Sequence, residues 1–148
     1  MGCHMNIDDL PRWHFGEDEE TANGTLAQIL DGSKRMTSSV YCYLEPEPGL
    51  PLEEQLAYPK VGDLNVITDW DGNPKCVVRT TDVRIMEYGS VPFEIARLEN
   101  GDETLEDWQI SRAGVFEGET IDVLGMADSS LDGYTKLFLE VFEVVEYL

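Results

Sequence analysis

The chain has 148 residues, 30 acidic against 10 basic, for a formal net charge of −20. That length suits one domain able to bury about 68–70% of its unfolded surface, and the spread of apolar and aromatic residues excludes disorder. A field of this sign repels polyanions, so duplex DNA is excluded as a partner, and no apolar run approaches the roughly 18 residues of a membrane helix.

The opening MGCHM reads as a cloning remnant over residues 1–5, leaving a single domain over 6–148. No signal peptide is apparent, and a cytoplasmic location is expected. Residues 6–20 are polar and acidic apart from Trp13-His14-Phe15-Gly16, so this arm is expected to fold back on the domain through its aromatics. Ala22, Leu26, Ile29 and Leu30 have helical spacing, with Thr21 as the expected cap and Gly32 at the left-handed end. A strand follows over Thr37–Leu44, then a long proline- and glutamate-rich loop over 45–60.

Asp63–Asp69 and Pro74–Thr81 form a hairpin about the turn at 70–73, and Val83-Arg84-Ile85 prolongs it. Ser90-Val91-Pro92 opens a helix, with the proline in its first turn, that Gly101-Asp102 interrupts. Thr104, with Asp107 three residues later, resembles a capping box and opens a second helix carrying Leu105, Trp108 and Ile110. Residues 114–135 are rich in glycine and aspartate and are expected to be loop, and KLFLEVFEVVEYL closes the chain as a strand buried largely on both faces. Helices bunched between strands predict an α+β fold, a small, mostly antiparallel sheet curled toward a barrel with flanking helices.

Cys3, Cys42 and Cys76 form no CxxC pair, and His4 and His14 are not spaced with them as in a zinc site. Free thiols are expected, with no metal and no cofactor. The chemistry concentrates in LDGSKRMTSSV at 30–40, where Lys34, Thr37 and Ser38 follow a helix end. A lysine there also suits the helix dipole without any catalytic role.

Together with Trp13-His14-Phe15-Gly16, LDGSKRMT at 30–37, PKVGD at 59–63, DGNP at 71–74 and VPF…ENGDETLEDW at 91–108, the chain resembles the ASCH domain family, a PUA-like β-barrel. The resemblance runs from Trp13 to Tyr147. It implies nucleoside- or RNA-related work. Some small ASCH proteins are amidohydrolases that deacetylate acetylcytidine with a lysine, a threonine three residues on and a helix glutamate. Another is similar to a ribonuclease, and wider relatives bind RNA without chemistry.

Carried over, the lysine falls on Lys34, the threonine on Thr37 and the glutamate on Glu99. Many family members read EGEGD where this chain reads LENGD, so a shifted gap brings Asn100 or Asp102 to the acidic position instead. The chemistry suffices for amide hydrolysis without metal. Thr37 is the nucleophile, Lys34 the base if burial lowers its pKa, Glu99 the acid–base partner, and backbone amides at 35–38 the oxyanion donors.

Trp13 and Phe15 are candidates to stack a base, Arg35 and Ser38 to contact the substrate, Tyr41 to line the cavity and Glu45 to meet a ribose hydroxyl. A nucleoside or modified RNA nucleotide is the expected partner, with single-stranded RNA possible and no membrane. The charge favours a small neutral nucleoside over long RNA. A single-strand ribonuclease would instead need a positive patch around Lys34, Arg35 and Arg79 or Arg84, and a passive RNA-binding module would show salt-sensitive affinity without turnover.

Overall fold

The structure, a computed structural model, describes residues 7–41, 59–122 and 131–148. After a 3-10 turn at Ile7–Asp9 the elements are β1 (Arg12–Trp13), α1 (Glu19–Asp31), β2 (Met36–Val40), β3 (Leu64–Thr68) and β4 (Pro74–Glu87). A second 3-10 turn at Tyr88–Ser90 leads to α2 (Phe93–Asn100), α3 (Leu105–Asp122) and β5 (Lys136–Tyr147). The five strands form one sheet in the order β1-β3-β4-β5-β2. Among the described residues only the β1–β3 pair is parallel. The expected α+β class and mostly antiparallel sheet are present. Among the described residues the sheet stays open, with β1 and β2 at its edges.

Side chains alternate across the sheet and divide the core in two. On one face Met36, Val40, Leu137 and Leu139 pack under Val91, Ala96, Trp108 and Phe116 from the α2–α3 side. On the other, Ile67, Cys76, Val78 and Phe142 meet Leu26 and Ile29 of α1, with Trp13 and Phe15 of the folded-back arm against them. The closing strand is buried on both faces in its first half, while Glu146 and Tyr147 near its end are exposed.

Several boundaries differ from expectation. The α1 cap is Asp18, whose carboxylate accepts the Thr21 amide at 2.7 Å, so Thr21 lies inside the helix. The hairpin strand and its extension are one strand, β4, bent by bulges opposite β5. Pro92 caps α2 instead of lying in its first turn. Residues 114–122 are helix, because α3 continues through both glycines to bury Phe116 against Trp108, ring centroids 6.1 Å apart. Of the strand expected over 37–44, Thr37–Val40 is strand, and residues 42–58, which hold the long loop up to residue 58, lie outside the described residues.

Candidate active site

Gly32 ends α1 in the left-handed conformation (φ 85°), which a side chain would strain. The chain doubles back so that the Lys34 amide bonds the Gln28 carbonyl at 3.1 Å. Lys34 is thereby turned inward and is only 6% exposed. Its Nζ donates to the Met36 carbonyl at 3.0 Å and the Glu99 carbonyl at 3.3 Å, and lies 5.5 Å from the centre of the Phe15 ring. Burial pulls the Lys34 ammonium down to about 8; the Glu99 carboxylate opposes this and Arg112 adds to it.

Glu99, on the last turn of α2, is 1% exposed. Its Oε1 accepts the Ser38 hydroxyl at 2.6 Å and the Trp108 indole N–H at 2.9 Å, and its Oε2 accepts the Ser38 amide at 2.8 Å. Lys34 Nζ stands 3.9 Å from Oε2, and Arg112 Nε 3.3 Å from Oε1. Arg112 also donates through Nη2 to the Ser38 carbonyl at 2.9 Å. The outer edge of β2 is thus met by side chains from two helices, and Glu119 extends the pattern by accepting the Val40 amide.

These groups border a cleft of about 670 Å³ at the β2 edge, walled by Phe15 and Thr21 on one side and by Asn100 and Val115 on the other, with Lys34, Thr37, Glu99, Arg112 and Glu119 facing it. The structure therefore brings Lys34, Thr37 and Glu99 together, with Phe15 on the wall. Asn100 lines the cleft too; Asp102 is not among its walls. Ser38 is buried and spends its amide and hydroxyl on Glu99.

The other candidates lie elsewhere. Trp13 donates to Asn65 at 3.0 Å and borders a different cavity, of about 520 Å³, with Asp63 and Glu140. Arg35 is exposed; its backbone N–H bonds the Leu98 carbonyl at 2.7 Å. Tyr41 stacks on Phe138, ring centroids 6.4 Å apart, away from the cleft. Glu45 lies outside the described residues. Of the backbone amides at 35–38, those of Arg35 and Ser38 are already bonded, to Leu98 and Glu99. Arg79 and Arg84 pair with Glu143 and Asp82, so they form no positive patch with Lys34.

Arg112 and Glu119 are not among the residues to which the sequence points. Their signal is the spacing 108–112–119, which lies on one helical face only if the helix continues past Gly114.

An ASCH domain family model matches residues 11–146, and the chain belongs to that family, whose work is generally RNA-related. It is similar to the ASCH domain from Lactobacillus crispatus JV V101, at 31% identity and a TM-score of 0.72, covering 93% of this chain and 80% of that one. It is also similar to protein EF3133 from Enterococcus faecalis V583, at 26% identity and a TM-score of 0.71, covering 93% of this chain and 77% of the other. Hypothetical protein PH0355, at 16% identity and a TM-score of 0.51, shares the fold, with coverage of 90% and 99%. No curated protein matches the chain.

Proposed function

We propose that the cleft hydrolyses the amide of an N-acylated cytidine. The observation that carries this reading is the buried amine of Lys34, lowered to about 8 and bordering the same cleft as the Thr37 hydroxyl. A neutral Lys34 spends its two N–H groups on the Met36 and Glu99 carbonyls, which leaves its lone pair to take a proton. A hydroxyl is a weak nucleophile at its free pKa, and an adjacent base activates it. Thr37 attacks the acyl carbon as Lys34 accepts its proton. Arg112, with N–H groups beyond the one given to Ser38, supplies positive charge for the oxyanion in place of the spent amides of Arg35 and Ser38. Glu99 anchors Lys34 and β2 from behind.

The test is to incubate the protein with acetylcytidine and follow cytidine by chromatography, with Lys34→Ala and Thr37→Ala as comparisons. Turnover by the wild type that falls at least about 100-fold in both variants is expected, the usual size of a lost acid–base or nucleophilic contribution. No turnover by the wild type overturns the reading.

A further inference from the structure

Cleaving an amide also requires a proton for the departing nitrogen, and Glu99 is poorly placed to give it. Both its oxygens act as acceptors, for Ser38 twice and for Trp108, and the residue is 1% exposed. The protein's own donors thus engage both oxygens.

Glu119 differs on each count. It borders the same cleft, seven residues after Arg112 on α3, and its Oε1 is buried with no hydrogen-bond partner. Leaving such an oxygen unpaired is costly, and an unsatisfied buried group of this kind calls for an explanation. A carboxylic acid waiting for a ligand's nitrogen supplies one. Burial raises the Glu119 carboxyl above the ordinary carboxylate range; the Val40 amide and Arg112 pull the other way, and Glu99 adds to the rise. The remaining charged groups on the cleft walls are Lys34, Glu17 and Asp18.

We propose that Glu119 protonates the leaving amine, while Glu99 is a positioning residue. This rests on the amidohydrolase reading. Thr37 Oγ bonds to the acyl carbon and its proton passes to the neutral Lys34 amine. The C–N bond breaks, and the nitrogen keeps the electron pair and takes the Glu119 proton. Water then attacks the Thr37 ester and gives a proton to the Glu119 carboxylate. Thr37 leaves as the C–O bond breaks and recovers its proton from Lys34. One amide and one water become one acid and one amine.

The decisive experiment is kcat/KM for acetylcytidine against pH. A group that must hold its proton, paired with an amine titrating near 8 that must lack one, makes the wild-type profile rise, level off and fall again above about pH 8. Glu119→Gln keeps the shape and the acceptor for Val40 but has no proton to lose. Its rate is expected to drop about 100-fold and to stay level above pH 8 instead of falling. Glu119→Asp should restore the descending limb, and thermal melts confirm that each variant folds.

A wild-type profile that stays level above pH 8 overturns the proton donor alone. So does a Glu119→Gln variant that keeps its full rate or its descending limb. A wild type inactive on acetylcytidine overturns the underlying reading, and the donor with it.

Discussion

The burial that suits Lys34 to its proposed role as a base also costs stability. Folding takes its ammonium out of water and lowers its pKa from 10.5 to about 8. Between those values the unfolded chain binds more protons than the native one, so stability rises with pH across that window. Below pH 8 both states hold the proton and the penalty is fully present. Its size is about 3 kcal/mol, since each tenfold loss of proton affinity is worth about 1.4 kcal/mol. The Cys76 thiol, pushed up to about 11 by burial, acts in the other direction. The difference between wild type and Lys34→Met isolates the lysine. Urea unfolding from pH 7.5 to 10 should show the wild type gaining stability on the variant by most of that amount, and equal slopes would contradict the buried, lowered amine.

At the scale of elements, local chemistry accounts for most boundaries. The expected α1 end at Gly32 and the hairpin turn at 70–73 are both present, because a left-handed glycine and a tight turn are written in a few adjacent residues. The N-terminal cap is a competition between neighbours. Asp18 stands three residues before the amide it caps, while the Thr21 side chain is already inside the first turn. Asp18→Ala should therefore lower the midpoint of urea unfolding, with the slope unchanged.

The C-terminal half of α3 was not legible, since glycine and charge around Gly114 and Gly118 argue for loop. What holds it is distant in sequence: Phe116 is packed with Met36, Leu137 and Leu139 in the core on that face of the sheet. Tertiary burial outweighs weak propensity. The site shows the same division. Lys34, Thr37 and Glu99 follow from the resemblance of short stretches to a family. Arg112 and Glu119 needed the helix to be known first, and Trp13, Arg35 and Tyr41 needed the fold to show that they stand apart from the cleft.

For the whole molecule, charge dominates. A net −20 spread over 148 residues opposes the compact state through self-repulsion. The exposed pairs Arg12–Asp8, Arg79–Glu143 and Arg84–Asp82 offset little of it. Adding NaCl from about 0.01 to 1 M shrinks the Debye length from about 30 to 3 Å. The thermal midpoint should then rise by several degrees, and a midpoint that falls with salt would show that attractive pairs outweigh the repulsion. The cleft's cations, Lys34 and Arg112, share its walls with the acids Glu17, Asp18, Glu99 and Glu119.

The side chains along β2 have one more consequence. An edge strand offers its free amides and carbonyls to any other extended chain. Here the Ser38 amide is occupied by Glu99, the Ser38 carbonyl by Arg112 and the Val40 amide by Glu119, a false neighbouring strand assembled from functional groups. The cleft and the guard against fibril-like stacking are thus the same set of atoms. Substituting Glu99, Arg112 or Glu119 therefore also uncovers backbone groups of an edge strand, a template for misassembly.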